Sequence, residues 1–214
     1  MRRILVFGDS NSWGYVPAKG TRFPEDVRWP GVAAKELGED FCILEDCISG
    51  RTTVIEDPRH PKRCGLDALG YSLISQSPLD LLVLAVGTND LKFTDAEGYR
   101  KGITTLIDFV MDAQRILILD HPIFRDDKKQ ILLVGPPLIN PEICNMRQTH
   151  QLAHAAEESK KLAPIAKEVA AEKGIAYIDA SAYVYPDTTD CLHISSESQM
   201  LLGKIMAEKI RSLF

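Results

Sequence analysis

The sequence predicts an α/β fold in which helices cover both faces of a parallel sheet, and three observations carry that reading. Five short apolar runs recur along the 214 residues, at Ile4–Phe7, Phe41–Leu44, Leu81–Val86, Ile131–Val134 and Ile175–Ile178. Each run is nearly continuous rather than alternating, which suits strands buried on both faces. The segments between them repeat apolar residues at helical spacing. Strand–helix alternation of this kind predicts a three-layer α/β/α sandwich around a five-stranded parallel sheet, in flavodoxin-like order.

The first run ends abruptly in Gly8-Asp9-Ser10-Asn11-Ser12-Trp13-Gly14. A β-branched and aromatic run stopped by Gly-Asp-Ser reads as a buried strand entering a tight turn. Ser10 then stands at the carboxyl end of a strand, where open α/β sheets bind ligands. Asp9 suits a turn or helix N-cap more than a reacting group. Trp29 to Leu37 reads as a helix with Val32, Ala33 and Leu37 on one side, and Leu66 to Ile74 as another. Residues 96–115 carry Ile103, Leu106, Ile107 and Val110 at the i, i+3, i+4, i+7 spacing of a helix face. The Ala-, Glu- and Lys-rich stretch 148–173 predicts a helix that Pro164 kinks or splits. Ser196 to Leu213 closes the chain as a helix, with Met200, Leu201, Ile205 and Ile210 expected inside. Loops 14–28 and 136–147 are long for such a fold and are expected to wall a site. No repeat, low-complexity tract or composition shift divides residues 1–214, so one domain is expected.

Composition narrows the function. With 25 basic and 30 acidic residues the formal charge is −5, which argues against nucleic acid as a partner. Met1-Arg2-Arg3 precedes only four apolar residues, too few for a signal segment or a membrane span. No amphipathic or basic stretch suits a lipid surface. A cytoplasmic chain without a membrane partner is expected. Cys42, Cys47, Cys64, Cys144 and Cys191 are odd in number and form no C-x-x-C pair. They read as reduced thiols, and Cys191 as packing, rather than as a disulfide framework or zinc site.

Three further clusters follow predicted strands or precede the last helix. In Ser49-Gly50-Arg51-Thr52-Thr53 the glycine taken alone reads first as a turn residue, and it can also let backbone approach a ligand and leave an N–H pointing into a site. In Gly87-Thr88-Asn89-Asp90 the Asn89 amide is an uncharged donor suited to a developing oxyanion, and the cluster fits plain turn and N-cap chemistry equally well. In Asp190-Cys191-Leu192-His193 an Asp three residues ahead of a His can hold one ring nitrogen and leave the other as a base. His60, His121, His150 and His154 show no such companion. The i, i+4 pair His150 and His154 lacks a third ligand and reads as surface, so no metal and no cofactor is expected.

Serine, glycine, asparagine and Asp-x-x-His, in that order, resemble the SGNH (GDSL-type) hydrolase family, and the four blocks span residues 8–193. The wording of Asp26-Val27-Arg28-Trp29-Pro30-Gly31-Val32, Ser49-Gly50-Arg51-Thr52-Thr53 and Pro78-Leu79-Asp80-Leu81 is similar to the bacterial arylesterase/acyltransferase branch. Ser12 stands where many relatives have Thr, and region 112–150 does not align. The resemblance implies Ser10 as nucleophile, His193 as general base and Asp190 as its orienting acid. It implies an oxyanion hole of the Ser10 N–H, the Gly50 N–H and the Asn89 amide, with Trp13 as a candidate substrate-binding wall. The expected substrate is a small acyl ester, hydrolysed or transferred to an alcohol, and the expected assembly is a homo-oligomer. Carbohydrate O-deacetylase, thioesterase and lysophospholipase share these residues and stay open. An α/β-hydrolase is set aside because Ser12 replaces the last glycine of Gly-x-Ser-x-Gly and the acid lies three residues from the base. A phosphate-binding module is disfavoured because neither G-x-G-x-x-G nor G-x-x-x-x-G-K-[ST] occurs.

Overall fold

The five apolar runs become the strands β1 (Arg2–Gly8), β2 (Phe41–Cys47), β3 (Leu81–Ala85), β4 (Ile131–Gly135) and β5 (Ala176–Asp179). A computed structural model describes residues 1–112, 122–125, 130–145 and 150–214. The strands pair in parallel in the order β2-β1-β3-β4-β5, the flavodoxin-like order. Around them lie α1 (Ser10–Trp13), α2 (Trp29–Leu37), α3 (Gly65–Gln76), α4 (Ala96–Asp112), α5 (Ala155–Lys173) and α6 (Ser196–Arg211).

The two-residue period of a strand explains why the sheet needs a layer on each face. On β1, Leu5 and Phe7 point into a core shared with Leu69, Leu73, Ile103 and Leu162, from α3, α4 and α5. Ile4 and Val6 point the other way, toward Trp29, Ala33, Leu202 and Met206, from α2 and α6. β3 repeats the pattern, with Leu82 and Leu84 on the first face and Leu81 and Val83 on the second. β2 departs from a strand covered on both faces: it is an edge, largely half-buried, and runs on through Glu45 and Asp46 to Cys47. Those carboxylates are held by arginines. Arg28 grips Glu45 with two bonds of 2.7 and 2.8 Å, and Arg51 Nη2 reaches Asp46 at 2.7 Å.

Three helical expectations need correction. The 148–173 helix begins at Ala155, preceded by a short 3₁₀ turn at His150–Leu152. Pro164 lies inside that helix without splitting it. Residues 146–149, residues 113–115 of the expected 96–115 helix, and His121 lie outside the described residues. In α6 the buried side is Gln199, Leu202, Gly203, Met206, Ala207 and Ile210, whereas Met200 and Leu201 are 37% and 45% exposed. The cause is a close crossing with α2. A Cβ on Gly203 would lie 2.6 Å from Val32 Cβ and 2.8 Å from the Trp29 carbonyl, so the smallest residue, not the largest, marks the contact.

Register places the site. Gly8 is level with Cys47 on one side and Ala85 on the other. The segments leaving these three strands carry Ser10, Gly50 and Asn89, so they converge at one edge. Asn89 lies in the 3₁₀ turn Thr88–Lys92, entered through Gly87 at φ 137°. That φ is strained for any residue with a Cβ, and a Cβ there would fall 2.2 Å from the Tyr99 ring. Gly87→Ala is therefore expected to destabilise the fold by about 3 kcal/mol, from backbone strain plus overpacking. The check is a urea midpoint; a midpoint equal to wild type contradicts this account of the turn.

Candidate active site

Ser10 is the first residue of a single helical turn. Asp9 caps it, its carboxylate accepting the Asn11 N–H at 3.0 Å, and Gly14 closes it with an N–H to the Ser10 carbonyl at 3.0 Å. The first N–H groups of a helix lack an intrahelical acceptor, and the Ser10 N–H has none among the described residues.

Asn11 then fastens this turn to the far end of the chain. Its side-chain oxygen accepts the Ile194 N–H at 3.1 Å, and its carbonyl accepts Gln199 Nε2 at 2.9 Å. Gln199 is fully buried and its Oε1 accepts the Trp29 N–H at 2.9 Å. The segment before α6 is thereby set against α1. His193 Nε2 lies 2.9 Å from Ser10 Oγ, and His193 Nδ1 lies 2.8 Å from Asp190 Oδ2.

Asp190 is saturated with donors. One oxygen takes the N–H groups of Leu192 (3.1 Å) and His193 (2.9 Å), and the other takes His193 Nδ1 and the Ala18 N–H (3.0 Å). Burial alone raises a carboxyl, but the His193 ring, its charge and these N–H groups outweigh it and hold Asp190 at about 2. Cys191, between acid and imidazole, is buried at φ 61°, a left-handed conformation uncommon outside glycine. It packs in the core, and its carbonyl is held by the Asn140 N–H at 3.0 Å from the loop after β4.

The opposite side of Ser10 is built by Arg51 and Asp90. The Arg51 guanidinium is buried, lies 3.7 Å from the Phe7 ring centroid, and donates to the Gly8 carbonyl at 3.2 Å as well as to Asp46. It fixes the end of β1 against the end of β2, and so sets the Gly50 backbone. Gly50 adopts φ 83°, and its N–H has no acceptor among the described residues. Asn89 Nδ2 donates one hydrogen to the Arg51 carbonyl at 3.1 Å, which aims the amide and leaves its second hydrogen free. Asp90 accepts the Thr53 N–H at 3.0 Å and the Thr53 hydroxyl, tying this turn to the Gly50 loop.

A cavity of about 260 Å³ opens over these groups, lined by Ser10, Gly50, Asn89, Asp190 and His193. Tyr15 forms its wall beside the imidazole, stacked on His193 with ring centroids 4.1 Å apart. Trp13 is not among the lining residues. It packs half-buried against the second core, with its ring 6.4 Å from that of Tyr15 and Arg22 above it. The loop 14–28 walls the site through Tyr15 and supports Asp190 through the Ala18 N–H. His60 also lines the cavity and does have a companion, Asp57 Oδ2 at 3.1 Å from its Nδ1. The signal was present, since Asp57 precedes His60 by the same three residues as Asp190 precedes His193. His154 is exposed just before α5, so it shares no helix with His150. Among the described residues no group of three His, Cys, Asp or Glu side chains could hold a metal, and no helix is long and apolar enough to cross a membrane. All five cysteines are free thiols.

A hydroxyl joined through an imidazole to a buried carboxylate can be deprotonated for attack on a carbonyl, and unpaired N–H donors beside it can hold the resulting oxyanion. The family model of GDSL-like lipases and acylhydrolases matches residues 6–198. The chain belongs to that family. It is thus a hydrolase with an SGNH-type α/β fold. It is similar over 100% of both chains to an aryl esterase from M. smegmatis, with 32% identity and a TM-score of 0.91. A carbohydrate acetylesterase from Sinorhizobium meliloti is 29% identical with a TM-score of 0.90, again over 100% of both chains. A lipase/acylhydrolase from Enterococcus faecalis shares the fold at 20% identity, with a TM-score of 0.68 over 100% of this chain and 97% of that one. Comparison with curated protein sequences gives no match.

Two buried carboxyls in this GDSL-like site titrate against the trend of Asp190. Burial pushes Asp90 up to about 7, against the Thr53 hydroxyl and N–H, and pushes Asp9 up to about 6, against the Asn11 N–H. Unfolded aspartates titrate near ~3.9, so between about pH 4 and 7 the native state binds more protons than the unfolded chain. Their contribution to stability therefore falls as pH rises through that window. Asp190, depressed to about 2, contributes above pH ~4 and is lost as pH falls toward 2. Asp90→Asn is expected to flatten the decline in unfolding free energy between pH 4 and 7, as read by urea denaturation. An unchanged slope contradicts it.

Proposed function

We propose that the protein is a serine esterase that hydrolyses short-chain aryl and alkyl esters through an acyl-serine intermediate at Ser10. The observation that carries this reading is the continuous chain Ser10 Oγ, His193, Asp190, at 2.9 and 2.8 Å, opening on the cavity that Gly50 and Asn89 also line. In the reaction His193 Nε2 takes the Ser10 proton as Oγ attacks the ester carbonyl, then gives it to the leaving alcohol. Asp190 fixes the tautomer by accepting from Nδ1 and stabilises the imidazolium, whose face the Tyr15 ring covers. The tetrahedral oxygen is received by the Ser10 N–H, the Gly50 N–H and the free hydrogen of Asn89 Nδ2. This reading is supported by the lack of an acceptor for the Ser10 and Gly50 N–H groups among the described residues and by the second Asn89 hydrogen left over from its bond to Arg51. Water, activated by His193, then releases the acyl group, and alcohols entering the same cavity compete with it as acceptors.

The likeness to a carbohydrate acetylesterase favours one second reading, in which the ester is an O-acetyl group on a sugar. The chemistry is identical and only the alcohol differs. A panel of aryl acetates and acetylated sugars, assayed with and without added alcohol, ranks the two and measures transfer.

Ser10→Ala is expected to reduce aryl acetate turnover by at least about a thousandfold. Asn89→Ala is expected to lower kcat by about 10²–10³ with a much smaller change in KM, as loss of a donor used only in the transition state requires. Steady-state kinetics beside a circular dichroism check of folding decide both. Full turnover in Ser10→Ala contradicts the mechanism.

A further inference from the structure

Outside the reacting groups, the wall of the cavity carries a concentration of positive charge in a chain whose formal charge is −5. Arg63, Lys92 and His60 all line it. His60 is paired with Asp57, as already described. Arg63 and Lys92 are half-buried, and neither has an ion pair or a side-chain hydrogen bond among the described residues. Two carboxyls act on Lys92, Asp57 and Asp9. The Asp57 oxygens are taken by His60 at 3.1 Å and the Arg59 N–H at 2.9 Å, with the Arg59 guanidinium at 3.8 Å. Asp9 is buried beneath the site and accepts the Asn11 N–H at 3.0 Å. Among the described residues that line the cavity the one carboxylate, Asp190, is saturated by four donors.

Both cations also stand next to the groups that would hold the ester carbonyl. Arg63 Nη1 lies 2.6 Å from where a Cβ on residue 50 would sit, so the absent side chain of Gly50 is the space the guanidinium occupies. Lys92 ends the 3₁₀ turn that carries Asn89. A cation drawn partly out of water with no directly bonded counter-ion among the described residues is costly, and burial already disfavours the charged form of Lys92. Two such groups converging on one open cavity create a strong local preference for an anion.

We propose that the natural substrate is an ester bearing an anionic group, a carboxylate or its equivalent, that docks between Arg63 and Lys92 while the ester carbonyl is held at Ser10. Arg63 supplies planar, two-pronged hydrogen bonding and Lys92 a point charge. The inference rests on the serine-esterase reading of Ser10 and adds the substrate class to it.

Two matched pairs of synthetic esters test it and locate the charge. 4-Acetoxybenzoate against its methyl ester places the anion on the leaving alcohol. Mono-4-nitrophenyl adipate against its methyl ester places it on the acyl chain. In wild type, kcat/KM for the anionic member of at least one pair should exceed that for the neutral member by about tenfold or more, through KM, and the ratio should shrink with added salt. In the Arg63→Ala/Lys92→Ala double variant the ratio should fall to about one or below. Arg63→Lys should keep part of it. Thermal melts confirm that each variant folds.

Ratios near one for both pairs in wild type overturn the proposal. So does a double variant that lowers kcat for anionic and neutral esters by one common factor, since the cations would then serve the oxyanion alone. If wild type turns over none of the four esters and an organophosphonate leaves Ser10 unmodified, the esterase reading itself falls, and the inference with it.

Discussion

Everything in the site depends on a hydrogen-bond clamp at Asn11. Its side-chain oxygen receives the Ile194 N–H, and its carbonyl receives the buried Gln199 amide. Asn11 follows Ser10 and Ile194 follows His193, so the clamp holds both hydrogen-bonded side chains by their immediate neighbours. A serine–histidine hydrogen bond between positions 183 apart in sequence contributes little on its own against the entropy of closing such a loop. The sheet closes the loop, and the clamp then removes the remaining freedom. Pre-organisation of this kind lets a weak interaction be present at nearly every encounter with substrate.

The other half of the site is held by buried charge rather than by neutral amides. Arg51 spans the ends of β1 and β2 and lies against Phe7, while Asp90 ties the Asn89 turn to Thr53. Such groups stabilise little in net terms, because their desolvation opposes their pairing. What they provide is direction. Arg51 satisfies the carbonyl of Gly8 and offers its own to Asn89, so one residue ties the end of β1 to the Asn89 amide. The elevated carboxyls of Asp9 and Asp90 are the cost of burying polar ties beside the Ser10 turn.

Much of this was legible in the sequence, for reasons particular to the elements. β1, β3 and β4 are apolar on both faces, so their runs are unmistakable, and parallel pairing brings their carboxyl ends level. Ser10 and Asn89 follow two such ends, and Gly50 follows the edge strand β2, which pairs in register with β1, so the three could be placed together before any coordinates. Asp190 and His193 were legible from local spacing. What was not legible depended on close packing. The inner face of α6 turns on Gly203 and Ala207, which carry almost no apolar signal, whereas Met200 and Leu201 carry a strong one and face outward. Trp13 and Tyr15 are two residues apart, and only the geometry of the turn after Gly14 decides that the tyrosine meets His193. Arg63 and Lys92 have no motif at all; their meaning comes from the cavity they share.

A covalent bond to Ser10 is the centre of the proposed reaction, and rapid acid quench during turnover of an aryl acetate, followed by intact-mass and peptide analysis, reads it directly. One acetyl group per chain is expected in the quenched wild-type enzyme, on the peptide containing Ser10. An adduct on any other residue, or full turnover with no adduct even when deacylation is slowed, would contradict it.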